Sequence, residues 1–369
     1  MCRCRHFNPA FVVLSLLLLL LYCPVFGLDQ SQQHPIRFEP TVLFPSYRNF
    51  SVGFSLHSSY AAAAVIFSYP DGRLDTHTTV IHGGAEYRKV MAKLSLDSSR
   101  HLAPPYRDDG EYWADRPRWL ARNTAKSVGL PASYEVGILS SLLASARREL
   151  EAAHGISIRE AVFSAPHLAA LYKDDIEDVA FHLGINYVTP QWQFREFLWE
   201  NAATYAGMGL GLCKTWWDIE ECNREEEEFL ADTAVMAVHY GRNALQVSHC
   251  KMRTATDIFE PEWRHVENYT LGRQVANGEY QGGGGGGEEG YWRDVKDFLL
   301  VILREWGFMK PDVIMLSGDA VDQEFIKRLY EAMRGHLGEM PPCLVNDSLA
   351  VAARGCAELM RRGRAPWSD

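Results

Sequence analysis

The chain has 369 residues, 47% hydrophobic and 23% charged, a balance that buries a core and excludes disorder over most of the length. Lys plus Arg number 37 against 47 Asp plus Glu, a formal charge of −10 that offers no global basic field to nucleic acid. At about 150 residues per domain, the length predicts two units.

Met1 to Phe7 carries Arg3 and Arg5 and no acid, and Phe11 to Tyr22 is almost wholly apolar. Pro24 breaks that run, and Val25-Phe26-Gly27 fits a signal-peptidase site, so residues 1–27 read as a secretory signal peptide. The alternative is an uncleaved membrane anchor, because Phe11 to Leu28 spans 18 residues. Cleavage removes two arginines and no acid, taking the charge from −10 to −12. Five cysteines then remain, and Cys213 with Cys222 is the nearest candidate pair for a disulfide in an oxidising compartment. Asn49, Asn268 and Asn346 stand in glycosylation sequons, which export would make usable.

Residues 28–50 read as an extended polar leader. Ser51–His57, Tyr60–Ser68 and Asp75–His82 follow as strands, with Pro70-Asp71-Gly72 as a turn. Residues 83–133 hold Pro104, Pro105 and Pro117 among several aromatics and are expected to be an irregular insertion. Leu139, Leu142, Leu143, Ala146 and Leu150 then form the stripe of a helix over Val136–Ala153. A buried strand over Ile158–Ala165, a helix over Leu168–Leu183 ending at Gly184, a short strand at Ile185–Val188 and a helix over Phe194–Met208 complete this half.

The second half repeats that order. Strands are expected at Thr233–His239, Ala244–Lys251 and Trp263–Thr270, followed by a glycine-rich loop over 281–290. Helices at Tyr291–Trp306, Gln323–Met333 and Ser348–Arg361 then alternate with strands at Val313–Leu316 and Cys343–Val345. The expectation is α/β, with 51–228 and 229–369 as two related lobes.

Local words carry a family resemblance. Ile158-Arg-Glu-Ala-Val-Phe-Ser-Ala-Pro166, then Leu183-Gly-Ile-Asn-Tyr-Val188, then Glu200-Asn-Ala-Ala-Thr-Tyr-Ala-Gly207 follow one another as strand, strand and helix. Asp312-Val-Ile-Met-Leu-Ser-Gly318 and Ala350-Val-Ala-Ala-Arg-Gly-Cys-Ala357 come near the end. In this order the chain resembles the actin-like ATPase domain superfamily, closest to the nucleotide-binding domain of DnaK-type heat-shock chaperones. The resemblance implies a duplicated two-lobed actin-like ATPase (ribonuclease H-like) fold with a central cleft for ATP or ADP. It places Ser58, Ser59, Gly241, Arg242 and Gly318 at the nucleotide and Glu200 at an acidic, water-orienting position. After the final helix no stretch remains for the peptide-binding domain that such chaperones append.

The departures weigh as much as the matches. The family's Asp-Leu-Gly-Thr-Thr loop corresponds to Ser55-Leu56-His57-Ser58-Ser59, and its Asp-Leu-Gly-Gly-Gly-Thr loop to His239-Tyr240-Gly241-Arg242-Asn243-Ala244. Both carboxylates are replaced, and phosphoryl transfer needs magnesium held by carboxylates or their waters. The resemblance therefore implies a pseudo-ATPase that binds nucleotide weakly or not at all, without tightly held magnesium, and acts through a protein partner in the secretory pathway. An active chaperone-like ATPase is the alternative.

Other patterns point to little chemistry. Asp178 and His182 share a helix face but have no second ligand pair, so a solvated face is expected there. The acids from Asp218 to Glu228 read as a charged helix, and no His-x-x-x-His pattern speaks for a metal. A secreted carbohydrate-active hydrolase is the rival class, given the 10 tryptophans and the many carboxylates.

Overall fold

Apolar residues with strand spacing open the structure. β1 (Asn49–Leu56) is buried on both faces from Ser51 onward, the sign of a strand covered above and below. It pairs antiparallel with β2 (Tyr60–Ser68), whose run of four alanines puts two small side chains on each face, and β2 pairs with the exposed edge strand β3 (Leu74–His82). On its other side β1 pairs parallel with β4 (Glu160–Ala165), which carries β5 (Asn186–Tyr187) and the short β6 (Leu198–Trp199). The order of this sheet is β3-β2-β1-β4-β5, with β6 on β4.

A second mixed sheet contains β7 (Thr233–Tyr240), β8 (Leu245–Met252), β9 (His265–Asn268), β10 (Val313–Ser317) and β11 (Cys343–Val345). Its order is β11-β10-β7-β8-β9. Both sheets thus place their first strand centrally, an antiparallel meander on one side and parallel strands on the other. The protein is mixed α/β, and both sheets belong to one compact unit, Ser46–Asp369.

The computed structural model describes residues 49–188, 198–228, 230–255, 265–276, 287–305 and 310–363. The signal segment, most of the leader and glycines 282–286 lie outside the described residues, as do the start of the helix expected at 194–208 and that of the strand expected at 263–270. No described helix is long and apolar enough to cross a membrane.

The segment 83–133 is a correction to the sequence reading. It forms helices α1 (Ala85–Leu94) and α2 (Asp109–Ser127) rather than an irregular insertion. Pro117 removes one helical N–H, yet α2 persists because Asp108 caps its start by accepting from Glu111 N and because ion pairs dock its side. Helix α3 (Tyr134–His154) follows, then α4 (Lys173–Leu183), which ends at Gly184 with φ +64°. Arg122 of α2 is buried and pairs with Asp175 and Asp178 of α4 at 2.8 and 2.7 Å. Lys126 reaches Asp178 at 2.6 Å. The acids of α4 expected to be solvated are therefore structural.

Helix α5 (Glu200–Gly207) is followed by the acidic α6 (Ile219–Glu228) and the single-turn α7 (Arg273–Ala276). Helices α8 (Glu288–Glu305) and α9 (Gln323–Leu337) cover the second sheet, packing Tyr291, Trp292, Phe325 and Leu329 on Tyr240 and Leu316. Helix α10 (Val351–Gly363) returns to the first sheet, laying Ala353 and Ala357 on the alanine face of β2. Its Gly355 meets the backbone of Ala203 in α5, where no larger residue would fit. Small residues on both helices allow that approach.

Candidate functional site

Strand ends create the site. β1 finishes at Leu56 and turns through 57–59, β7 finishes at Tyr240 and turns through 241–244, and β10 finishes at Ser317. The register pairs Ser317 with His239, so neighbouring strands deliver these two residues together. β6 lies beside β4, and α5 begins immediately after it, which puts Glu200 at a helix N-terminus among the same strand ends. Clefts outside the carboxyl ends of strands are the usual place for ligands in α/β sheets.

His57, Glu200 and His239 form the centre. Glu200 Oε1 lies 2.7 Å from His239 Nδ1 and 3.1 Å from His57 Nδ1. Ser317 Oγ is 3.1 Å from His239 Nδ1 and 3.4 Å from the same carboxylate oxygen. The His57 ring stacks on Tyr60 at 4.1 Å and on His239 at 5.1 Å. All three central side chains are buried, with His57 0% exposed. His57 Nε2, His239 Nε2, Ser58 Oγ and Tyr60 OH are buried too, without a hydrogen-bond partner among the described residues.

Burial alone would push the Glu200 carboxyl up, but the imidazoles of His239 and His57 outweigh it and hold the pKa well below the carboxylate range. Burial likewise opposes a charge on His239, yet the Glu200 carboxylate raises its pKa above the ordinary 6.5. His57 goes the other way, because burial dominates and its pKa falls. The surroundings thus favour the carboxylate form of Glu200, the protonated form of His239 and the neutral form of His57. The amide dipoles at the start of α5 favour the same charge on Glu200.

Asp319 organises a second layer. Its Oδ1 accepts from Ser59 Oγ at 2.9 Å and from Arg242 N at 2.8 Å, and its Oδ2 lies 3.4 Å from His82 Nδ1. Asn243 Nδ2 donates to Ser58 O at 3.3 Å, tying the two turns directly. At Gly241 a side chain would begin 3.1 Å from Ser58 Oγ and 3.4 Å from both Asp319 Oδ1 and His239 Nε2. Glycine leaves that point open. Gly318, with φ +117°, lets the loop after β10 press against the Tyr240 backbone, where Ala320 N donates to Tyr240 O at 3.1 Å. A cavity of about 10 Å³, room for about one water, adjoins Glu200 and His239 and is also lined by Ser248 and His265.

The structure brings Ser58, Ser59, Gly241, Arg242 and Gly318 together around Asp319, with Glu200 next to them. Glu200 is buried and doubly engaged rather than solvated. Sequence reasoning misses Asp319 and Tyr60, and it meets Ser317, His57 and His239 only as departures from the loops that the chain resembles. The available signal is that both histidines replace residues at corresponding strand ends. The described groups able to gather round one cation are His57, Glu200 and His239, together with Cys213, Cys222 and Glu226. In the second group Cys213 and Cys222 are bonded to each other. Asn49 and Asn346 are exposed and Asn268 half-buried. No protein-family model and no curated protein matches the chain.

Proposed function

We propose that this protein is a secretory-pathway relative of the actin-like ATPases, closest to the heat-shock-chaperone type, that binds nucleotide weakly or not at all and acts by interaction or regulation. The observation that carries the reading is the cross-connection of the two turns that would cradle phosphate. His57 and His239 both close on Glu200, and Ser59 and Arg242 both close on Asp319. The common strand order of the two sheets supports the duplicated two-lobed ancestry.

The residues at these turns do not fit magnesium-ATP. Magnesium takes oxygen ligands in near-octahedral array, mostly carboxylates, water and phosphate. Here Ser55 accepts a hydrogen bond from Ser164 Oγ at 2.9 Å, and His239 is committed to Glu200. The His57 ring, stacked between Tyr60 and His239, fills the place of a phosphate-loop glycine. Such a set of side chains supports no phosphoryl-transfer step.

Melting temperature measured with magnesium-ATP, with ATP plus chelator and with chelator alone tests this, alongside phosphate release. The expected result is no nucleotide shift, or a small one indifferent to magnesium, and no release above a protein-free blank. Magnesium-dependent stabilisation with steady phosphate release would establish the active ATPase instead. Glycan hydrolysis would remove the family reading altogether.

A further inference from the structure

The polar groups at the strand ends converge more tightly than an ion pair requires. Two imidazole nitrogens and one hydroxyl all approach Glu200 Oε1, at 2.7, 3.1 and 3.4 Å. One donor atom from each of His57, Glu200 and His239 lies within 4.8 Å of the other two, and the three residues come from stretches far apart in the chain. Two imidazoles and a carboxylate are a donor set for Zn²⁺ and its first-row neighbours, not for magnesium or calcium. Three protein ligands leave a fourth position for water in catalytic-type zinc sites. The cavity of about 10 Å³ beside Glu200 and His239 has room for about one.

We propose that His57, Glu200 and His239 form a binding site for Zn²⁺ or a similar first-row divalent cation that bridges the two sheets. Ligating imidazoles are neutral, so binding the cation releases any proton the cluster holds. Stacking on Tyr60 fixes the plane of His57, and Ser317 borders both His239 and Glu200. The site needs only these side chains, whatever the ancestry of the fold.

The test uses the full chain purified from a secretory host, stripped with chelator and titrated with Co²⁺ as a spectroscopic probe, with no nucleotide present. One saturable equivalent with visible d–d bands and a rise in melting temperature is expected, displaced by Zn²⁺. His57→Gln, Glu200→Gln and His239→Gln should each weaken Co²⁺ binding by about 100-fold or more, since even outer partners of a metal ligand cost about 10–100-fold. His154→Gln serves as control, because His77 and His154 form a surface ring pair at 4.3 Å able to collect metal adventitiously. If the Glu200 or His239 variant fails to fold, His57→Gln carries the test, since it keeps the Glu200–His239 contact at 2.7 Å. No saturable equivalent, or one lost in His154→Gln and kept in the other three, would overturn the proposal. Either result leaves the ATP measurements to stand or fall by themselves.

Discussion

The cluster around Arg122 and the cluster around Glu200 are both buried, both ionic and both assembled from distant stretches, but they are completed to different degrees. Arg122 uses Nε, Nη1 and Nη2, which reach Asp178, Asp175 and the carbonyl of Asp174. The strand-end cluster leaves His57 Nε2, His239 Nε2, Ser58 Oγ and Tyr60 OH unmatched among the described residues. A polar network that serves the fold alone gains from full satisfaction, because each unmatched buried group costs about 1–3 kcal/mol. Unused capacity at converging strand ends is what marks a site. The Arg122 network locks α2 to α4, whereas the Glu200 network joins two sheets and keeps donors in reserve.

Breaking the Arg122 cluster, in which Asp174 Oδ1 is the one unmatched buried atom among the described residues, should have the largest effect. Arg122→Met leaves Asp175 and Asp178 buried without their main cation, and urea unfolding should show a loss of about 3–5 kcal/mol. Co²⁺ binding, corrected for the folded fraction, should not change. If the variant kept full stability, the contrast between the two clusters would collapse.

Glu267 sharpens the comparison through pH. It accepts from Gln246 Nε2 at 3.1 Å, and burial pushes its pKa up to about 8, the hydrogen bond opposing. The folded state therefore holds this proton more tightly than the unfolded chain, whose carboxyl titrates near 4.5. The associated stability is complete below about pH 4.5 and is lost as pH rises through about 8. Glu267→Gln should melt several degrees above the wild type at about pH 9, and the gap should close near about pH 4. A gap constant across pH would show that the carboxyl is not held neutral.

The smallest change tests the second layer of the site. Ser59→Ala deletes one hydrogen bond to the Asp319 carboxylate and should cost about 1.5 kcal/mol by urea unfolding. Asp319 retains Arg242 N, so the loss should stay well below that of Arg122→Met. An equal loss would mean that the inter-turn link is as essential to the fold as the helix pairing.

Elements with a strong hydrophobic period are legible in the amino-acid sequence. Tyr60–Ser68 has the expected bounds, and Gly184 ends its helix in the left-handed conformation. Helix α2 is not legible in that way. Four prolines in 83–133 argue locally for irregular chain, while the evidence for the helix is tertiary, in Arg122 meeting Asp175 and Asp178. Glu200 is reachable through its place at the head of the Ala-rich helix. Its meeting with His57 and His239 depends on two turns closing toward each other, which no local pattern encodes. Asp319 escapes for the same reason: its role exists only once Ser59 and Arg242 have arrived.

The order of synthesis gives the α10 packing a further meaning. Val52 N donates to the Met360 sulfur at 3.1 Å, so the first described strand is finished by the last described helix. At translation rates of about 5–20 residues per second, the alanine face of β2 stays uncovered for on the order of tens of seconds after it emerges. Until then the N-terminal half presents an apolar sheet to whatever holds nascent chains in its compartment. A stop codon directly after Ala350 would leave every residue of the first sheet intact and still make that half look unfinished to quality control.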